Sequence, residues 1–215
     1  MTVQAVCFDL DDTLFDYHEY ARAGLQSAAD RLETLVGADH HAALQAMYFQ
    51  EGITERTFDR FLARQDLPAH LTDELVKAFH EAETDLPPYP DTRPVLADLA
   101  SQYRLGLVTD GRGGHAKLQR LGLEGYFDAV VVAPTIGTSK TTAEPFQTAL
   151  SGLSVSPADA AHVGDHPRFD VAVPNELGMT TIRLRRGRYA DREATCAIAT
   201  PDYEVHRLRA VSECL

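Results

Sequence analysis

The sequence predicts an α/β fold in which a parallel sheet with crossover helices carries an all-helical insert. Short apolar runs alternate with helical patterns along most of the chain. One long stretch, residues 17–88, keeps helical spacing with no strand-like run. Acidic residues stand directly after two of the apolar runs, where a parallel sheet presents its ligand-binding edge.

The runs are Val3 to Phe8, Leu105 to Val108, Phe127 to Ala133, Ala160 to Val163 and Thr180 to Leu184. Each is short, continuous and apolar, as expected of a strand buried on both faces. From Pro94 onward, helical patterns such as Val95-Leu96-Leu99 and Ala116-Leu118-Leu121 separate them. That alternation is the signature of a parallel sheet.

Within residues 17–88, apolar positions recur at Leu25, Ala28, Ala29 and Leu32, and at Phe58, Phe61 and Leu62. The stretch ends at Leu86-Pro87-Pro88-Tyr89-Pro90, whose prolines stop a helix and stiffen the return. The expected domains are therefore a core of residues 1–16 and 89–215 and a helical insert of residues 17–88. Two connections join them, as a hinged lid requires.

The chain has 215 residues, 44% apolar and 24% charged, the balance of a packed globular protein. A formal net charge of -12 argues against a nucleic-acid partner, which needs a basic stripe. A small ligand is expected instead, and an anionic one needs a local reversal of the field by a metal ion or a few cations. Cys7, Cys196 and Cys214 are too few and too scattered for a disulfide framework or a zinc pattern, which fits a cytoplasmic protein. Met1-Thr2-Val3-Gln4 shows no basic leader, and no apolar run approaches the roughly 20 residues of a membrane span. Oligomeric state is not legible.

Val6-Cys7-Phe8 runs into Asp9-Leu10-Asp11-Asp12-Thr13. Residues at i and i+2 of an extended segment face the same way, so Asp9 and Asp11 share one side. One carboxylate can attack phosphorus while the other exchanges a proton with the leaving oxygen. A hard cation such as Mg²⁺ would hold Asp9 ionised and neutralise phosphate charge. Taken alone, Asp-x-Asp also reads as a helix cap or turn.

Three further stretches change that balance. Thr109-Asp110-Gly111 follows the second run and offers a hydroxyl and turn N–H groups to an anion, though the same triplet makes ordinary turns. Lys140 precedes a helix expected from about Ala143 and can reach a phosphate oxygen, though a lone lysine is commonly a surface group. Gly164-Asp165 follows the fourth run, with Asp170 five residues on; the two acids can share a metal, and Asp170 also reads as a helix N-cap.

In this order, the four elements resemble the haloacid dehalogenase superfamily. Asp9-x-Asp11-x-Thr13 looks like its first motif, Thr109 its second, Lys140 its third, and Gly164-Asp165 with Asp170 its fourth. Leu118-Gln119-Arg120-Leu121-Gly122-Leu123 and Leu177-Gly178-Met179 are similar as well. The resemblance implies a Rossmann-like three-layer parallel sheet core with an inserted all-helical cap of the phosphoglycolate phosphatase-like kind. It implies that Asp9 is the nucleophile and Asp11 the acid and base. Thr109, Asp110 and Lys140 would bind the phosphoryl group of a small phosphate ester. Asp9, the Asp11 backbone carbonyl, Asp165 and Asp170 would surround Mg²⁺.

The text departs from that pattern at Asp110, where Asn is common, and at Thr141, where Pro is common. A carboxylate near phosphate is repelled by about 1 kcal/mol at about 4 Å even in bulk water, so Asp110 is expected to offer its N–H and turn its side chain away. Tyr17, His18, Arg22, Arg56 and Arg60 could reach a leaving group but read better as solvated surface residues, and His166 and Arg168 fall beside the expected site. The leading expectation is a Mg-dependent phosphomonoester hydrolase using an aspartyl-phosphate. A sugar-phosphate mutase, a 2-haloacid dehalogenase and a catalytically impaired binding module are the alternatives.

Overall fold

The computed structural model describes residues 2–82 and 85–215. The chain forms two compact units, Met1–Tyr17 with Leu86–Leu215, and His18–Asp85.

The first unit is built on strands β1 (Ala5–Phe8), β2 (Arg104–Thr109), β3 (Ala129–Val132), β4 (Ala160–Gly164), β5 (Thr180–Leu184) and β6 (Tyr203–Val205). They make one sheet in the order β3-β2-β1-β4-β5-β6 with every pairing parallel. The order reverses beside β1, and at such a switch point the connections leave a crevice at the carboxyl ends of the strands. Register puts the acids there together: Phe8 lies opposite Leu107 on one side and Val163 on the other, so β1, β2 and β4 end at a common edge.

Helices α5 (Thr92–Ala100), α6 (Gly114–Leu121), α7 (Glu144–Leu153) and α8 (Ala172–Leu177) fall between the strands. One face of the sheet packs Cys7, Val108 and Val131 against Phe146, Ala149, Leu150 and Leu153 of α7, with Val173 and Met179 extending the cluster. Burial of such side chains, worth roughly 1.5–3 kcal/mol each, is what holds a crossover helix to a sheet. The proline-rich return stays with this unit: the Tyr89 N–H and the Thr92 hydroxyl both donate to the Leu14 carbonyl, at 3.0 and 2.8 Å. Cys7, Cys196 and Cys214 are free thiols.

β6 does not appear in the sequence pattern. It has three residues, of which only Val205 is buried. Ion pairs at its edge compensate: Glu204 accepts from Arg183 at 3.2 Å and from Arg185 at 3.0 Å. The run from Phe127 to Ala133 is also shorter as a strand, since a 3₁₀ turn over Glu124–Tyr126 precedes it and Asp128 clasps Leu105 through its N–H and carboxylate.

The second unit holds α2 (His41–Phe49), α3 (Thr57–Arg64), α4 (Thr72–His80) and nearly all of α1 (Tyr17–Val36). The i, i+3, i+4, i+7 stripe of Leu25, Ala28, Ala29 and Leu32 is buried as its spacing requires. Phe79 of α4 meets Tyr20 edge-on at 5.6 Å and Phe58 at 6.0 Å. Among the described residues, no helix is long and apolar enough to cross a membrane.

Candidate functional site

Asp9 continues β1, its N–H donating to the Val163 carbonyl at 2.9 Å. The chain then turns at Asp12, which takes the left-handed conformation (φ 63°) that Asp tolerates better than most side chains. Its buried carboxylate fixes the turn by accepting from the Tyr17 N–H at 3.1 Å and from Arg188 Nε at 2.5 Å. Asp12 is thus structural, while Asp9 and Asp11 both face a cavity that Thr109, Asp110, Lys140, Asp165 and Asp170 also line. The seven residues that the resemblance marks for catalysis, phosphate or metal all line it.

Lys140 is buried, and its ammonium bridges Asp9 Oδ1 at 2.5 Å and Asp170 Oδ1 at 2.6 Å. Its backbone N–H donates to Asp110 Oδ1 at 2.9 Å, so the Asp110 carboxylate ties the β2 and β3 loops together. Thr109 Oγ1 accepts the Gly111 N–H at 3.1 Å, leaving the hydroxyl proton for another acceptor. Asp11 is held by Lys117 of α6, which donates to both carboxylate oxygens at 2.6 and 2.9 Å.

Asp170 is not the cap of α8, which begins at Ala172 without a side-chain cap bond. Its carboxylate is occupied inside the site: Oδ1 by Lys140 and by His162 Nε2 at 3.3 Å, Oδ2 by the His166 N–H at 2.9 Å. Gly164 makes room for it, since a Cβ there would fall on the Asp170 side chain. That close approach is why glycine stands at the end of β4.

Carboxylate oxygens of Asp9, Asp165 and Asp170 lie within 4.8 Å of one another, and all three residues are buried. Burial pushes Asp9 up to about 7 despite the opposing pull of Lys140. Asp165 is raised well above the carboxylate range, first by burial and then by Asp9 and Asp170. Burial would raise Asp170 too, but Lys140 and His162 hold it below its ordinary value. Among the described residues one ammonium therefore faces three carboxylates, and Asp165 Oδ2 is buried without a hydrogen-bond partner. An orphaned buried oxygen within an excess of hard oxygen donors fits a small divalent cation.

Several residues of this neighbourhood escaped the sequence reading, Lys117, His162 and Arg188 among them. Lys117 sits at the i, i+3, i+4, i+7 positions shared with Gly114, Leu118 and Leu121, the buried face of α6. A lysine on such a stripe must have a partner, and that was the available signal. His162 lies inside an apolar strand, its ring edge-on to Phe146 at 5.1 Å. Arg188 reaches in from the segment after β5, its guanidinium 3.9 Å over the Tyr17 ring. Of the other candidates, Arg56 and Arg60 are exposed. Arg22 lies over Phe49 at 5.3 Å, and the His18 ring is 5.7 Å from that of Phe49.

The profile of haloacid dehalogenase-like hydrolases matches residues 3–178, which span every residue of the cavity up to Asp170. A glyceraldehyde 3-phosphate phosphatase of Methanopyrus kandleri is 34% identical over 96% of this chain and 94% of its own. A 2-haloacid dehalogenase from Pseudomonas syringae superposes with a TM-score of 0.73 at 27% identity, over 99% of this chain and 97% of the other. A HAD-hydrolase from Bacillus subtilis has the same fold, with a TM-score of 0.78 at 19% identity over 100% and 99% of the two chains. With four motifs gathered at one sheet edge and a profile covering most of its length, the chain belongs to the haloacid dehalogenase-like hydrolases.

Proposed function

We propose that the chain is a magnesium-dependent phosphomonoester hydrolase acting on a small organic phosphate. The observation that carries this reading is the buried trio Asp9, Asp165 and Asp170, with Asp11 two residues from Asp9 and held from outside the trio by Lys117. A dehalogenase shares the nucleophile but needs no magnesium and no acid two residues on. A second held carboxylate and an acid-rich cation site are what phosphoryl transfer needs. The 34% identical phosphatase supports the same class.

In this reading Asp9 attacks phosphorus, the bond to the leaving oxygen breaks, and that oxygen takes a proton from Asp11. The resulting aspartyl-phosphate is hydrolysed by water, whose proton Asp11 accepts. Lys140 and the Thr109 hydroxyl face the phosphoryl oxygens, and the N–H groups of the Asp110 turn add donors. Asp9, Asp165, Asp170 and the Asp11 backbone carbonyl would hold Mg²⁺, which when bound supplies positive charge that keeps Asp9 ionised and offsets the phosphate. Residues 17–88 act as the cap that selects the leaving group, in a cytoplasmic enzyme.

The test is a screen of small phosphate esters for inorganic phosphate release, with magnesium and with excess chelator, on the native chain and Asp9→Asn. Release that requires magnesium and falls at least about a thousandfold in Asp9→Asn supports the assignment. Isomerised sugar phosphate without release would make the chain a mutase, and chloride release from a 2-haloacid under chelation would make it a dehalogenase. Release at the native rate from Asp9→Asn would sink the mechanism.

A further inference from the structure

His166 is buried beside the cavity, 5% exposed. Its Nδ1 receives two backbone N–H groups, from Arg168 and from Phe169, each at 3.1 Å. A backbone N–H can only donate, so Nδ1 carries the lone pair and Nε2 carries the proton. Nε2 faces Arg192 Nη1 at 3.2 Å. A guanidinium also only donates, so no hydrogen bond joins the two nitrogens. Side by side, they form a pair of donors that calls for one acceptor, and the acceptor that best meets a guanidinium is an anionic oxygen.

The pair is built into the fold. Phe169 stacks on the imidazole at 4.2 Å and Tyr189 meets it at 4.4 Å, so the ring cannot turn freely. Arg183, fully buried in β5, donates through Nη2 to the carbonyls of Tyr189 and Arg192 and so anchors the loop that carries them. Arg188, from the same loop, also lines the cavity; Asp12 holds its Nε, and its two terminal nitrogens donate to no acceptor among the described residues. His166 and Arg188 line the cavity and Arg192 stands against His166, so two guanidiniums and an imidazole N–H gather next to the acids of a chain whose net charge is -12.

Strand order brings this group in from the side of β1 opposite to the phosphoryl-binding residues, although the Lys140 ammonium reaches across to Asp170. Thr109 and Lys140 follow β2 and β3, on one side of β1 and Asp9. His166, Arg188 and Arg192 follow β4 and β5, on the other side. We infer that His166 Nε2, Arg192 and Arg188 form a subsite for a second anionic group, carried by the leaving-group part of the substrate. The shared chemistry is an oxyanion, supplied by a carboxylate or by a second phosphate. This inference rests on the phosphatase reading for the position of the first phosphate.

Binding is measured on Asp9→Asn with magnesium present, by calorimetric titration with glycerol 1-phosphate, 3-phosphoglycerate and propane-1,3-diol bisphosphate. At least one acidic ester binds ten or more times tighter than glycerol 1-phosphate, and which of the two does so identifies carboxylate or phosphate as the second group. In Asp9→Asn/Arg192→Ala the ratio of acidic to neutral affinity falls toward one; Arg192 is exposed, so the chain keeps its fold. Equal affinities within twofold for all three esters, no measurable binding of either acidic ester, or a ratio untouched by Arg192→Ala overturns the subsite. Phosphate release by the native chain is read separately. Acid-selective binding without any release would sink the hydrolase and leave the subsite, whereas release at one common kcat/KM from all three esters would sink the subsite and leave the hydrolase.

Discussion

The Lys117 ammonium donates to both carboxylate oxygens of Asp11, at 2.6 and 2.9 Å, across 106 positions of sequence. Lys117 is itself buried on α6, its ammonium 5.6 Å from the Phe15 ring centre and 5.0 Å from that of Tyr17. Those two rings give the cation a face that water would otherwise cover. The contact therefore fixes the rotamer of the residue proposed to meet the leaving oxygen.

Lys117→Met is expected to free that carboxylate while keeping the bulk of the side chain. Small misplacements of a reacting group cost up to about a hundredfold, so kcat should fall about 10- to 100-fold with KM changed by no more than a few-fold. Lys117→Arg should recover part of the loss by restoring the charge with a different donor geometry. Steady-state phosphate release from the three proteins checks this; an unchanged kcat in Lys117→Met would show that Asp11 needs no such support.

The acids of the site were legible because strand ends are legible. Val6-Cys7-Phe8 and Ala160 to Val163 are apolar runs, and parallel pairing brings their ends to one edge wherever they lie in the chain. Lys117, His162 and Arg188 were not, because each acts on a residue distant in sequence or from within an apolar element. Periodicity marks which face of α6 is buried but cannot name Asp11 as what lies against it. β6 stayed hidden for another reason: two of its three residues are exposed, and the pairing with β5 is supported by arginines rather than by an apolar pattern.

Asp165 Oδ2 is buried with no partner among the described residues, so magnesium binding should be visible without turnover. A ligand present at 100 times its Kd stabilises the native state by about 2.7 kcal/mol, which for a chain of this size is a Tm rise of several degrees. The native chain should show that rise when magnesium is added and lose it with chelator. Asp165→Asn removes one charge from the trio and should abolish the rise while leaving the magnesium-free Tm equal or higher, because burial already strains that carboxylate. A full magnesium shift in Asp165→Asn, read by calorimetry, would remove Asp165 from the cation site.

In the helical unit, His41 lies between Asp39 and Asp30, each 2.7 Å from a ring nitrogen. The hydrogen bond to Asp39 raises its pKa first; burial opposes this, and the bond and charge of Asp30 add to the rise. A raised folded-state pKa stabilises the fold below the ordinary histidine value of about 6.5, and that contribution is lost as pH rises through the folded value. The site is largely open to solvent and screened, so the effect is small. His41→Ala should lower Tm by no more than about 2 °C at pH 6 and by less at pH 9, as thermal unfolding at the two values will show. A larger loss at pH 9 would reverse the sign and discard the pairing.

Gly164→Ala places a methyl group where the Asp170 side chain now lies. The site cannot absorb it cheaply, because Lys140, His162 and the His166 N–H grip the Asp170 carboxylate from three directions. Overpacking of this kind costs about 1–3 kcal/mol, so Tm should fall by several degrees. The strain is also directed. Moving Asp170 takes away one of the two acids that Lys140 bridges, so magnesium affinity should drop together with stability. Gly178→Ala is the control: unlike Gly164, Gly178 has a backbone φ that strains alanine, at 82°, but among the described residues no atom beyond its chain neighbours lies within 4 Å of an added Cβ. It should lose stability while keeping magnesium affinity. Calorimetric titration with magnesium separates the two, and equal affinities in both variants would mean that Asp170 does not depend on the space Gly164 leaves.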